Sequence, residues 1–280
     1  MQQHTLRDVL EFEGIGLHTG ARARITIRPQ VEGSGLRFRL GPNGPFVPAL
    51  AENVVETRRA TVIGDGELTV STVEHVLSAL FAMGVDNALI EVDGAEIPVM
   101  DGSAAVFAQA IEHAGLAAQG AARPLFVVDR PFFYRDGGAT LVVLPSDEFR
   151  IKFAVDFEPP VGAQFLDMAI EPDRYLAEIA PARTFGYLHE VEALLAAGLA
   201  RGGSLDNALV FAPDGPLTPQ RWPNEVVRHK ALDLIGDFAL LGAWPQCEVI
   251  SIKSGHHLHA IATNGLREAY VPRRAAAGGR

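Results

Sequence analysis

The sequence predicts an α+β protein made of two similar halves, and three observations lead to this prediction. Apolar and polar residues alternate in short runs within 22–40 and again within 125–157, which is typical of half-exposed strands. Each half also contains about two segments in which apolar residues have helical spacing. Between the halves, residues 117–122 (A-A-Q-G-A-A) have the composition of a linker. We therefore expect two α+β domains, residues 1–120 and 124–270, each an antiparallel or mixed sheet packed with two helices.

The first half is predicted to open with strands and to continue as two strand–helix units. Its expected elements are strands at 22–28 and 36–40, a hairpin at 61–70, a helix at 71–84, a strand at 87–93 and a helix at 103–114. Ser71 and Glu74 have the spacing of a capping box at the start of the first helix. Capping of this helix would therefore be enough to explain Glu74, whatever other role the residue has.

The second half is predicted to repeat this mixture of strands and helices. Its expected elements are strands at 125–134, 138–145, 149–157, 207–212 and 246–253, and helices at 172–180, 187–197 and 224–242. In the last helix we expect Asn224 to cap the start and Gly242 to close the end. The final residues, 271–280, are expected to be disordered.

Composition narrows the class of protein. The net charge of -10 over 280 residues makes general nucleic-acid binding improbable, although basic residues could still gather locally around a small anion. The single cysteine, Cys247, excludes an intrachain disulfide and fits a reducing compartment. We find neither an export signal at the start nor an apolar run long enough to span a membrane. We expect a cytoplasmic monomer without an integral membrane segment.

The helix predicted at 224–242 carries three polar residues on a mostly apolar background. His229, Asp233 and Asp237 recur every four positions, so they lie on one stripe of the helix. A lone His-x-x-x-Asp pattern is more often an ion pair on the surface than a metal site. The apolar surroundings favour a functional role here, because buried acids need partners.

Four short stretches contain polar residues whose chemistries complement one another. They are Glu74-His75, Arg183-Thr184-Phe185, the stripe from His229 to Asp237, and the K-S-G-H segment at 253–256. Two histidines and a carboxylate can hold a zinc ion and leave its fourth position open for water. A free glutamate, a further histidine and a threonine hydroxyl could then act as base, acid and oxyanion donor. This combination is typical of metal-assisted hydrolysis of an amide or ester.

Seven motifs in order resemble those of one enzyme family. They are G-L-H-T-G at 16–20, S-T-V-E-H at 71–75, I-P-V-M-D-G-S-A at 97–104, A-R-T-F-G at 182–186, G-G-S-L-D-N-A at 202–208, R-H-K-A-L-D-L-I-G-D at 228–237 and K-S-G-H at 253–256. Together they resemble the zinc-dependent UDP-3-O-acyl-N-acetylglucosamine deacetylases of lipid A biosynthesis. The resemblance implies an active site between the two domains and a small β-α-β insert at about 186–212 in the second domain.

The resemblance also implies roles for individual residues. His75, His229 and Asp233 would bind one Zn²⁺, although such a ligand set also accepts Fe²⁺. Glu74 would be the general base acting on the zinc-bound water. His256, oriented by Asp237, would stabilise the oxyanion or protonate the leaving amine, and Thr184 would hydrogen-bond the oxyanion.

Further residues are expected to contact the substrate, UDP-3-O-acyl-N-acetylglucosamine. Lys230 would meet its phosphates or sugar, and Phe157 would meet its uracil. The remaining substrate contacts are expected from His18, Phe185, Leu188, Val191, Gly203, Ala208 and Lys253. Leu188, Val191, Leu199 and Ala208 could line a passage for the acyl chain or could be ordinary core residues. The F-E-P-P run at 157–160 departs from the Phe-x-His-Pro pattern expected of the family, because Pro159 replaces the histidine near the expected nucleotide contact.

Other classes of protein fit the sequence less well. A zinc peptidase of the H-E-x-x-H type lacks its second histidine here, because H-E-V-E at 189–192 is followed by alanine. A serine hydrolase lacks G-x-S-x-G. A non-catalytic protein with a structural metal would normally have four protein ligands rather than three and an untethered glutamate.

Overall fold

The computed structural model describes residues 1–41 and 43–270 of the chain. Over these residues it is an α+β structure with six α-helices and several sheets, which confirms the predicted fold class. The tail predicted to be disordered, 271–280, lies outside the described residues. The division into domains at 120 and 124 stays a prediction.

The first half contains ten strands and two helices among the described residues. In chain order they are β1 (Gln2–Leu6), β2 (Leu10–Ile15), β3 (Arg22–Pro29), β4 (Leu36–Leu40), β5 (Phe46–Pro48), β6 (Val54–Glu56), β7 (Val62–Gly64), β8 (Thr69–Val70), α1 (Glu74–Ala82), β9 (Ala88–Asp93), α2 (Ala105–Ala114) and β10 (Leu116–Ala122). Its main sheet has the order β2-β3-β9-β4-β5, with a smaller sheet of β6, β7 and β8 beside it.

The second half contains the remaining four helices. In chain order its elements are β11 (Leu125–Val127), β12 (Phe132–Asp136), β13 (Ala139–Pro145), β14 (Phe149–Asp156), β15 (Ala163–Ala169), α3 (Pro172–Glu178), β16 (Phe185–Tyr187), α4 (Val191–Ala196), β17 (Leu209–Ala212), β18 (Gly215–Pro216), α5 (Glu225–Ala239), β19 (Trp244–Ile252) and α6 (His256–Ala269). Its main sheet has the order β12-β13-β19-β14-β15, and β11 pairs with β19.

The two main sheets have the same topology. In the first, the central strand β9 is antiparallel to β3 and parallel to β4. In the second, β19 is antiparallel to β13 and parallel to β14 in the same way. In each half one helix precedes the central strand and another follows it, so α1 corresponds to α5 and α2 to α6. This similarity follows from topology alone, since the sequences of the halves show no clear repeat.

Helices α1 and α5 pack against each other where the two halves meet. Both helices are buried on nearly all sides. This burial accounts for the broad apolar surface of the helix predicted at 224–242, which would be too large for a helix on the surface of the protein. The contact is closest at Gly236, where an added Cβ would lie 2.1 Å from the backbone oxygen of Glu74. The glycine therefore sets how closely the first turn of α1 approaches the middle of α5.

Replacing Gly236 with alanine is expected to destabilise the protein by about 2–3 kcal/mol, despite the better helix propensity of alanine, because the helices must separate. Gly138→Ala provides a matched control, because an added Cβ there meets nothing within 4 Å. Urea unfolding of both variants measures the difference. Equal stability of the two variants would show that the crossing of α1 and α5 is looser than described.

Several details of the predicted elements are wrong. Residues 117–122 are not a linker but most of β10, which pairs antiparallel with β1. Helix α5 ends at Ala239 rather than Gly242, and no side-chain cap is formed by Asn224, whose oxygen instead accepts a bond from Arg228. The capping box of Ser71 is absent as well, because α1 begins only at Glu74. Strand β15 and helix α6 were not predicted.

Candidate metal and catalytic centre

A cavity of about 590 Å³ opens beside the first turn of α1 and the middle of α5. Its walls also include the loop after β2, the strand β16 and the start of α6. Eleven of the residues predicted from the sequence line it: His18, Glu74, His75, Phe157, Thr184, Phe185, His229, Lys230, Asp233, Lys253 and His256. The structure thus brings together residues that are up to 238 positions apart in the chain.

His75, His229 and Asp233 form a buried cluster at the floor of the cavity. One ligand atom from each lies within 4.8 Å of the other two. The Nε2 atoms of His229 and His75 lie 3.4 Å and 3.8 Å from Oδ1 of Asp233. The two histidines come from different helices, and their rings are nearly perpendicular, with centroids 5.1 Å apart. The cluster therefore depends on the packing of α1 against α5.

The protonation of this cluster fits a metal ion. Nδ1 of His229 lies 3.0 Å from the carbonyl oxygen of Ala182, which can only accept, so Nδ1 carries the proton and Nε2 presents a lone pair. Burial lowers the pKa of His229, and burial together with His229 lowers the pKa of His75 to about 3. Two neutral imidazoles thus face a carboxylate, and Nε2 of His229 presents its lone pair to it. Such a group of acceptors is stabilised by a cation held between them.

The loop that bears Ala182 is fixed by a buried ion pair. Arg183 donates from Nε to Oε1 of Glu225 at 2.9 Å, and its backbone N–H donates to the same oxygen at 3.1 Å. Burial opposes ionisation of Glu225, but the hydrogen bonds that it accepts from Arg183 and from the backbone N–H of Arg221 together outweigh this and lower its pKa. Because Glu225 is in the first turn of α5, the pair sets the A-R-T-F-G segment against the helix that carries His229.

Glu74 lies beside the cluster with one carboxylate oxygen facing the cavity residue His256. Its Oε2 accepts a bond from the backbone N–H of Thr61 at 3.0 Å, while Oε1 is 3.9 Å from Nε2 of His256. Burial raises the pKa of Glu74 to about 7, even though the charge of His256 acts in the opposite direction. A carboxyl group with a pKa near neutrality is suited to accept and release protons.

His256 lies at the start of α6 and pairs with Asp237. Its Nδ1 is 2.8 Å from Oδ2 of Asp237, which is fully buried behind it. Burial disfavours the imidazolium, but the carboxylates of Asp237 and Glu74 outweigh this and raise the pKa of His256 to about 9. Burial likewise opposes the ionisation of Asp237, and the charge and hydrogen bonds of the histidines lower its pKa to about 2. His256 is thus a cation aimed into the cavity.

Comparison of the chain with known proteins identifies the family to which it belongs. A family model described as "LpxC: UDP-3-O-acyl N-acetylglycosamine deacetylase" matches residues 3–268. The chain belongs to this deacetylase family. A UDP-3-O-acyl-N-acetylglucosamine deacetylase of Nostoc sp. is 45% identical over 268 residues, which cover 92% of this chain and 96% of the relative.

Two further relatives carry the same name. The protein of Syntrophotalea carbinolica is 45% identical over 262 residues, covering 92% of this chain and 85% of its own length. The protein of Phenylobacterium zucineum is 41% identical over 273 residues, covering 95% and 93%. The resemblance based on seven motifs is therefore confirmed along the whole family domain. Within residues 1–41 and 43–270, no helix combines the length and the apolar character needed to cross a membrane.

In this member of the deacetylase family, Lys230 lies against Asp233 of the buried cluster rather than projecting freely into the cavity. Its ammonium group lies 2.7 Å from Oδ2 of Asp233, and its side chain is only 13% exposed. The ion pair helps to keep Asp233 ionised: burial raises the pKa of that carboxyl, but the charges of Lys230, His229 and His256 together lower it below its ordinary value. A contact between Lys230 and substrate stays a prediction, and it would have to share the ammonium group with Asp233.

The G-L-H-T-G segment forms a tight loop at the cavity edge. The carboxylate of Glu96 accepts bonds from the backbone N–H groups of His18 and Thr19, at 2.9 Å and 2.8 Å. It leaves no room for a side chain at position 16, where a Cβ would lie 2.1 Å from Oε2 of Glu96. Burial lowers the pKa of His18, and its Nδ1 has no hydrogen-bond partner. A neutral acceptor is thus placed beside the cavity.

Aromatic residues form another part of the cavity wall. The rings of Phe157 and Phe185 meet edge to face with centroids 5.1 Å apart, and Phe185 is 6.2 Å from the ring of His229. The F-E-P-P segment is tied to the neighbouring strand, because the hydroxyl of Tyr187 donates to the carbonyl of Glu158 at 2.7 Å. The segment 157–160, which departs from the family pattern, is therefore held in place by its contacts with Phe185 and Tyr187.

The residues expected to line an acyl passage lie outside the wall of this cavity. Strands β16 and β17 run parallel, with α4 between them in the chain, so residues 185–212 form a β-α-β unit. Leu188 is 47% exposed, and none of Leu188, Val191, Leu199 and Ala208 is buried. The alternative that these four residues are ordinary core is wrong. A passage for an acyl chain stays a prediction.

Two polar residues of the centre were not found from the sequence. The hydroxyl of Thr61 donates to Oδ1 of Asp237 at 2.5 Å, while its backbone N–H binds Glu74, so one residue contacts both acids. His259 contacts Oδ2 of Asp237, the oxygen that His256 also contacts. His256 and His257 are neighbours in the first turn of α6. His256 is nevertheless buried, and His257 is exposed.

Proposed function

We propose that this chain removes the acetyl group from UDP-3-O-acyl-N-acetylglucosamine, giving UDP-3-O-acyl-glucosamine and acetate, as a step of lipid A biosynthesis. The observation that carries the proposal is the buried set of facing acceptors, His75, His229 and Asp233, directly beside Glu74 and His256. The names of the relatives supply the substrate. The geometry supports a metal site with an adjacent base and an adjacent cation, a combination suited to amide hydrolysis.

His75, His229 and Asp233 would hold one Zn²⁺ or Fe²⁺, since two imidazoles and a carboxylate suit either ion. Such an ion acidifies a water molecule and polarises the amide carbonyl as a Lewis acid. With only three protein ligands, the site leaves room for a reacting group. A closed structural site with four protein ligands would not.

Glu74 would act as the general base. Its Oε2 is held by the backbone N–H of Thr61, so Oε1 is the oxygen free to take the proton of an attacking water. The burial that raises its pKa also increases its affinity for that proton. Glu74 would then be neutral, which removes the charge next to His256 and makes the imidazolium a stronger acid.

His256 would supply positive charge and a proton on the other side of the scissile bond. Asp237 accepts from Nδ1, so Nε2–H points into the cavity, 3.9 Å from Glu74. It could stabilise the developing oxyanion and then protonate the leaving amine nitrogen. Thr184, whose backbone is pinned by bonds to Gly102 and Leu209, would add a hydroxyl donor to the oxyanion.

Acetate release tests this function by comparison of two substrates. UDP-3-O-acyl-N-acetylglucosamine is expected to be deacetylated at least about 100-fold more efficiently than UDP-N-acetylglucosamine, because each buried methylene of the acyl chain contributes about 0.8 kcal/mol. Mass spectrometry of the two sugar nucleotides measures both rates. Equal rates would remove the acyl chain from recognition, and no release from either would contradict the proposed function.

A further inference from the structure

His259 is a fully buried histidine that the proposed reaction does not use directly. It follows His256 by three residues on α6, so both histidines face the same side of the helix. Its Nδ1 lies 2.7 Å from Oδ2 of Asp237, and Nδ1 of His256 lies 2.8 Å from the same oxygen. Two imidazoles therefore share one carboxylate oxygen.

The hydrogen-bond directions around His259 are fixed by chemistry. Asp237 is ionised and can only accept, so both Nδ1 atoms carry protons. Burial lowers the pKa of His259, which leaves it neutral with a lone pair on Nε2. The hydroxyl of Ser254, 2.7 Å away, must then donate to Nε2, and its oxygen accepts from the hydroxyl of Ser251. All three residues are buried, so water does not compete with these bonds.

Three donors thus surround the Asp237 carboxylate. The hydroxyl of Thr61 donates to Oδ1, while His256 and His259 donate to Oδ2. Without His259 the carboxylate keeps two side-chain donors, the hydroxyl of Thr61 on Oδ1 and Nδ1–H of His256 on Oδ2. We propose that His259 is a positioning residue: its Nδ1–H fixes the Asp237 carboxylate, and through it the ring of His256. This inference rests on the proposed function of His256.

The test uses three substitutions of His259 in the full-length protein loaded with zinc. Asparagine places an amide N–H near the position of Nδ1, glutamine places its amide near Nε2, and leucine has neither donor. We expect His259→Leu to lower kcat by about 10- to 100-fold while KM and zinc content stay within a factor of three. His259→Asn should restore most of kcat, and His259→Gln should not. His257→Leu is the matched control, because that side chain is 65% exposed.

Two outcomes overturn the proposal. One is a folded His259→Leu protein with the kcat of the unaltered enzyme. The other is equal loss in the asparagine and leucine variants, which would mean that the shape of the imidazole matters and its Nδ1–H does not.

A second measurement uses the unaltered protein, so it requires neither a folded variant nor catalytic turnover. Imidazole ¹⁵N spectra of the unaltered protein should show His259 as the neutral Nδ1–H tautomer, and an Nε2–H tautomer would overturn the proposal. Absence of acetate release by the unaltered protein, with the Nδ1–H tautomer present, would instead locate the failure in the proposed function.

Discussion

Glu74→Gln is expected to lower turnover by about 10²- to 10⁴-fold, the range for loss of a general base. Glutamine keeps the size of the side chain and can still accept the bond from Thr61, so the fold and the start of α1 should not change. What it loses is basicity, because an amide oxygen does not take a proton near neutral pH. Bound zinc should remain at one equivalent, since Glu74 is not among His75, His229 and Asp233.

Glu112→Gln is the control for this prediction. It makes the same chemical change on the exposed side of α2, away from the cavity. Acetate release and zinc content of both variants, measured side by side, separate a catalytic effect from a general one. Near-normal turnover of Glu74→Gln would remove Glu74 from the role of base.

His75→Ala is expected to lose bound zinc. Removal of one of three protein ligands should weaken zinc binding by more than the roughly 10- to 100-fold that loss of an outer-sphere partner costs. It also leaves His229 and Asp233 as a pair with too few ligands to close a site. Metal analysis after dialysis against a weak chelator measures the effect.

His113→Ala, an exposed histidine at the end of α2, should keep its zinc under the same dialysis. Retention of a full equivalent by His75→Ala would contradict the proposed ligand set. The metal would then have to bind elsewhere, and the acceptors around Asp233 would need another explanation.

The part of the centre that lies on one helix could be predicted from spacing alone. His229, Asp233 and Asp237 recur every four residues, and α5 is continuous across all three, so they share a stripe as expected. Their meeting with Glu74-His75 could not be predicted in this way. It depends on the crossing of α1 and α5 at Gly236, a contact between segments about 160 residues apart, and only the resemblance to a family indicated it.

The residues that support the centre were harder to find for a physical reason. Thr61 contacts Glu74 through its backbone, and backbone contacts leave no trace in residue type. His259 was missed because α6 was not predicted. Only within a helix does the three-residue spacing place His256 and His259 on the same side. The prediction of a linker at 117–122 was wrong because an alanine-rich segment can also pair as a strand, as β10 does with β1.

The most direct test of the proposed centre is acetate release from UDP-3-O-acyl-N-acetylglucosamine in three states of the protein: as purified, after chelation, and after one equivalent of zinc is restored. We expect activity to fall to background with the chelator and to return with zinc, because His75, His229 and Asp233 together form a set of ligands for one cation. Unchanged activity in the chelated protein, with metal analysis showing that no metal remains, would contradict a metal-dependent deacetylase.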